Sequence, residues 1–169
     1  SGTVTAVIKR LGHFFSIDFT LTAARITVTD AAGSGSSGSL KLFTFVPGAI
    51  LPLGSRQDYT AFAEGSALTT AAGDAAFVIA LGSVAANAGD GALTGTEVDI
   101  APATGTITLS GGTGTGTKMG GATAAAIDGT TTAVDVYLNW SGSAATIDAN
   151  STIDVTGTIS VTGCFLGDD

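Results

Sequence analysis

Val134-Asp135-Val136-Tyr137-Leu138-Asn139-Trp140 and, after a turn, Ser151-Thr152-Ile153-Asp154-Val155-Thr156-Gly157-Thr158-Ile159-Ser160-Val161-Thr162 are the stretches whose reading decides the fold. In the second run Ile153, Val155, Ile159 and Val161 share one parity, while Thr152, Asp154, Thr156, Thr158, Ser160 and Thr162 hold the other. A period of two marks a strand with one buried and one wet face. In the first run Val134, Val136, Leu138 and Trp140 point one way, and Asp135, Tyr137 and Asn139 the other. The segment from Asp128 to Thr162 is therefore expected to supply two antiparallel neighbours, the spine of a sheet. No catalytic group is read in either run.

Composition extends this to the whole chain. The 169 residues are the size of one domain, and a 44% hydrophobic fraction is enough for a core. Thr and Val suit a pleated, half-buried surface, whereas surface-helix formers are scarce at 12% charged residues. The 25 glycines do not imply disorder, because the mean hydropathy is +0.47 and the strand periods are clear. The fold is expected to be all-β, one domain over residues 1–169, a β-sandwich or jelly roll of eight to ten strands with little helix.

Charge narrows the partners. Six basic residues against 14 acidic ones, a net charge of −8, argue against a nucleic-acid surface and against adhesion to anionic lipid. No apolar run approaches the roughly 18 residues of a membrane-spanning helix, so no membrane partner is expected. Gly12, His13, Ser16 and Asp18 interrupt the segment after Lys9-Arg10, so no signal peptide is read and synthesis in the cytoplasm is expected. The single cysteine, Cys164, excludes an intramolecular disulfide; it is read as a small apolar residue late in the last strand.

Taken in order, residues 1–12 mix Val4, Val7, Ile8 and Leu11 with Lys9 and Arg10. They form a candidate arm for contacting something acidic or a neighbouring copy, weighed against a solvated terminus. Ile17, Phe19 and Leu21 share one parity and Ile26 and Val28 the other, which predicts a bulge or turn at Ala23-Ala24-Arg25. Gly33 to Ser39 reads as a flexible link, Leu40 to Val46 as a strand apolar on both faces, and residues 50–66 as a loop with a short strand near Tyr59 to Phe62. Ala75 to Leu81 reads as a core strand. Glu97 to Ile100 and Thr106 to Leu109 read as short strands about Pro102, and the Gly111 to Thr117 tract as a loop.

Chemistry is harder to find. The Gly-rich tract ends Gly116-Thr117-Lys118-Met119, which is not the Gly-Lys-Ser/Thr of a phosphate loop. His13 is the only histidine and is read as a partly buried ring; zinc would want two or three such ligands. Asp90, Glu97 and Asp99, and separately Asp148, Asn150 and Asp154, cluster in sequence without the alternation of a calcium loop. No catalytic residue, cofactor or metal site is expected; a glycan hydrolase using Asp99 or Asp135 is the enzymatic rival.

Ala92-Leu93-Thr94-Gly95-Thr96-Glu97-Val98-Asp99-Ile100, Ile127-Asp128-Gly129-Thr-Thr-Thr-Ala133, Val136-Tyr137-Leu138-Asn139-Trp140 and Asp148-Ala149-Asn150-Ser151, leading into Val155 to Thr162, resemble small virion proteins of tailed bacteriophages. The resemblance covers about the second half of the chain and part of the Gly33 to Gly48 region. It implies a β-rich capsid decoration or cement protein on the capsid exterior, reinforcing the shell, with the major capsid protein as partner and no catalytic residues. Homo-oligomers, dimer or trimer, are expected. The alternative is a host-receptor or glycan-binding module of a head fibre or tail.

Overall fold

The computed structural model describes residues 2–31, 35–66, 74–87, 91–110, 113–121, 125–142 and 149–167. The fold is all-β, as expected. Its strands are β1 (Thr3–Leu11), β2 (Phe14–Ala31), β3 (Gly35–Thr44), β4 (Ala49–Ser66), β5 (Asp74–Gly82), β6 (Ile107–Ser110), β7 (Thr113–Gly121), β8 (Asp135–Gly142) and β9 (Ser151–Gly167). All pair antiparallel in the order β1-β2-β3-β8-β5-β6-β7-β4-β9, and a further ladder from β2 to β9 curls the sheet back on itself. One wall is β1-β2-β9-β4-β7 and the other β3-β8-β5-β6. Aromatic rings bridge them: Phe15 meets Phe45 at 5.2 Å, Phe19 meets Phe43 at 6.4 Å and Phe62 meets Phe77 at 5.0 Å between centroids.

The two organising runs keep their predicted buried faces but not their predicted pairing, and the expected wet face of the first run is covered at Asn139. Val136, Leu138, Trp140, Ile153, Val155, Ile159 and Val161 are all buried. Yet β8 pairs with β3 and β5, and β9 with β2 and β4, so the two strands lie in opposite walls. Alternation names the buried face of a strand and is silent on its neighbours.

The parity change in β2 is a bulge inside one strand. The register slips between Leu21 and Ala24, with Ala23 at φ 47°, and the Ala23 N–H donates to Thr156 Oγ1 at 3.0 Å. Three expected loops are instead strand, in whole or part. Gly35 to Ser39 opens β3, because a side chain at position 38 would collide with the Thr27 carbonyl at 2.3 Å, so small residues permit the approach. Residues 49–66 form one long strand whose bulges, at Pro52/Gly54 and Tyr59/Ala61 among others, break the parity. Its buried face also carries Ser55 and Gln57, which hides the apolar alternation. Thr113 to Gly121 pairs along β4, while residues 111–112 of that tract lie outside the described residues.

Glu97 to Ile100 is not a strand. Gly95–Glu97 is a 3-10 turn, and its side chains satisfy backbone groups a ladder would otherwise serve. The Glu97 carboxylate accepts from Thr94 N at 2.8 Å and Asn87 N at 3.2 Å, and Asp99 accepts from Ser83 N at 2.7 Å. This loop covers the outer face of β8. Asn139 is therefore buried, donating to the Val84 and Glu97 carbonyls, both at 2.9 Å.

Candidate interaction surface

The N-terminal segment is a strand of the sheet rather than an arm projecting from it. Thr3 to Leu11 pairs with Phe14 to Thr22, and the Gly12-His13 turn joins them, with Gly12 at φ 60°. Burial alternates from Thr3 to Val7 and ceases beyond it, so Ile8 is exposed although it shares the parity of Val4 and Ala6. Val4 and Ala6 are partly buried against the core, whereas Val7, Ile8 and Leu11 are exposed. Lys9 pairs with Asp18 at 3.2 Å, and Arg10 seats its guanidinium over the Phe165 ring at 4.4 Å.

Around that hairpin the chain gathers large apolar side chains in solvent. Leu11 is 83% exposed, Phe14 59%, Val46 51% and Leu166 52%. Phe14 opposes Leu11 on one side and Cys164 on the other, and Phe165 N donates to the His13 carbonyl at 2.7 Å, which fixes the end of β9 against the turn. Two shallow grooves of about 310 and 260 Å³ meet at Arg10, one running past His13, Val46 and Phe165, the other past Leu11, Phe14 and Phe15. His13 is exposed in the turn, not partly buried. Phe14, Val46 and Leu166 were missed in the sequence, although Phe14 carried a signal: it is apolar at the wet parity of β2.

The charged residues elsewhere are engaged in the fold. Arg25 donates to both Asp154 oxygens, at 2.7 and 2.8 Å, and Arg56 meets Asp58 at 3.2 Å. Lys41 meets Asp135 at 2.7 Å, where Thr44 and Tyr137 also donate to the carboxylate. Among the described side chains, Arg10 is the Lys or Arg without a carboxylate in an ion pair. Asp135 and Tyr137 line a groove of about 430 Å³ with Ser83, Asp128 and Thr132. Among the described residues no three or more acids, His or Cys are grouped to hold a metal. Asp90 and Asp148 lie outside the described residues. Asn150 Oδ1 accepts from Asp30 N at 2.9 Å, tying the start of β9 to β2.

These contacts set an acid limit to stability. The Arg25 fork holds Asp154 below the usual carboxylate value, Lys41 and then Thr44 do so for Asp135, Ser160 and then Lys9 for Asp18, and Thr130 for Asp128. Burial pushes Asp99 the other way. A carboxyl group with a depressed folded pKa adds stability that is present above its unfolded pKa and lost as pH falls through the folded one. Tm is therefore expected to stay nearly level from about pH 8 to 5 and to drop below about pH 4. Melting curves of Asp154→Asn against the native chain check this, since the variant should fall less steeply below that point.

Comparison with protein-family models, with curated proteins and with solved structures finds no match to this chain.

Proposed function

We propose that this protein is a structural virion protein that binds the outside of a bacteriophage capsid and stabilises the lattice of the major capsid protein. The observation that carries the reading is the set of exposed apolar side chains Leu11, Phe14, Val46 and Leu166, beside two grooves that meet at Arg10. Clustered exposed apolar side chains mark interaction sites on monomeric proteins. The resemblance of the second half to small virion proteins supports the same reading. A β body of this kind suits the role, since rigid elements hold a docking patch in one geometry and repetition over a lattice turns modest contacts into avidity. The residues first singled out, Val4, Val7, Ile8, Lys9, Arg10 and Leu11, divide under it. Arg10 and Leu11 belong to the patch, Val4 packs partly buried against the core, Lys9 pairs with Asp18, and Val7 and Ile8 lie on the strand edge.

The test mixes the purified protein with expanded phage heads lacking it and pellets the heads. Leu11→Asp combined with Phe14→Asp should weaken retention at least tenfold while the melting temperature stays near native, because both side chains are already exposed. Unchanged retention would remove the patch from the contact.

The groove beside β8 favours a second reading, a glycan-binding module. The Tyr137 ring with Asp128, Asp135 and Ser83 places hydroxyl-accepting groups beside an aromatic. Binding to a glycan array that is lost in Tyr137→Ala, without affinity for heads, would select it.

A further inference from the structure

We propose that the outer edge of β1 is a pairing surface for a second copy of this chain, joining the β1-β2-β9-β4-β7 walls of two molecules into one continuous sheet. Among the described residues β2 is the only strand partner of β1, so the far side of β1 is unpaired. The hairpin turn has two residues, which makes Leu11 and Phe14 a hydrogen-bonded pair. Because such pairs alternate with non-bonded ones, the backbone N–H and C=O groups of Val4, Ala6, Ile8 and Arg10 face the open side.

Edge strands are ordinarily guarded by charge, proline or a bulge, since an open ladder invites another strand. From Thr3 to Ile8 this edge has none of these; Thr-Val-Thr-Ala-Val-Ile carries no charge and no proline, and its register with β2 is unbroken. The strand is complementary to itself when run antiparallel. The register that overlaps all nine residues of β1 sets Val7 opposite Val7, Ile8 opposite Ala6, Lys9 opposite Thr5 and Arg10 opposite Val4. The four cations of the pair then lie near opposite ends with no like charges directly opposed, and Lys9 is already neutralised by Asp18. Val7 and Ile8, exposed in the single chain, become central cross-strand neighbours. A contact this narrow falls at the small end of specific interfaces, below about 1,200 Å², so the dimer should form over a micromolar concentration range. The inference rests on the strand edge and not on capsid binding.

Sedimentation velocity of the whole chain from about 1 to 200 µM tests it, bracketing the affinity expected of so small an interface. The native protein should pass from monomer to dimer. Ile8→Pro removes an N–H aimed at the open side, a position where proline is tolerated on an edge. Val7→Lys sets two cations against each other at the two-fold axis. Each should raise the dimer Kd at least tenfold without lowering Tm by more than a few degrees. Hydrogen exchange of the native chain supplies a readout free of mutation: the amides of Val4, Ala6, Ile8 and Arg10 should gain protection as concentration rises, while those of Thr5, Val7 and Lys9 are protected throughout by β2. A protein monomeric at every concentration would overturn the proposal, as would a dimer indifferent to both substitutions. A monomer whose Ile8→Pro variant loses retention on heads would overturn it too, assigning the edge to a strand of the capsid instead.

Discussion

Trp140→Ala is expected to destabilise the protein by about 3–5 kcal/mol, the usual cost of emptying a large aromatic site in a core. For a chain of this length that corresponds to a fall in Tm of roughly 6–20 °C. Trp140 is fully buried, its ring lies 5.4 Å from Phe77, and it stands between Ile79 on β5 and Gly38 on β3. Phe77 in turn meets Phe62 in the opposite wall, so the indole anchors a row of rings that crosses the core. Trp140→Phe separates packing from polarity. Among the described residues the buried indole Nε1 has no hydrogen-bond acceptor, so phenylalanine gives up no such bond and should cost at most about 1.5 kcal/mol. Urea unfolding of the two variants checks the contrast, and equal losses would mean that the indole contributes something other than ring packing.

Gly157→Val is expected to cost at least as much as a severe core overpacking, about 3 kcal/mol, by forcing β4 away from β9. A side-chain carbon at position 157 would meet the Asp58 carbonyl oxygen at 2.3 Å and the Tyr59 Cα at 2.8 Å, both of them backbone atoms. Gly157 pairs with Leu21 on one side and Tyr59 on the other, and each partner strand bulges immediately afterwards. The two long neighbours of β9 thus bend at the same level, and the absent side chain lets them do so. Gly105→Ala is the matched control, since none of the described residues lies within 4 Å of its added carbon, and its unfolding midpoint should stay close to native.

What was legible in the sequence followed one rule. Where the inward positions of a strand are apolar and keep one parity, alternation shows both its existence and its inward residues, as in β8, β9 and the first half of β2. Where the inward face is itself polar, the rule fails. β4 directs Ser55, Gln57 and Tyr59 into the core, where Tyr59 donates to Gln57 at 2.6 Å and Gln57 to the Pro102 carbonyl at 2.9 Å. That chain of bonds makes Tyr59 and Gln57 stable there, and the polar inward face makes the strand unreadable from hydropathy. Small residues misled for a related reason: Gly35 to Ser39 reads as a linker, yet its glycine is required by close approach to Thr27. The true neighbours of β8 and β9 were beyond reach, because neighbours are chosen by the whole sheet. The candidate interaction surface was half legible. Leu11 and Arg10 stood out within the first 12 residues, while Val46 and Leu166 join them only through the approach of β9 to the hairpin.

The proposed reinforcement of a phage shell is tested most directly by the temperature at which DNA-filled heads lacking this protein release their DNA, with and without the protein added back. The account predicts that added protein raises the release temperature in a saturable way, and that Leu11→Asp with Phe14→Asp abolishes the rise. A release temperature unmoved by saturating native protein would contradict it.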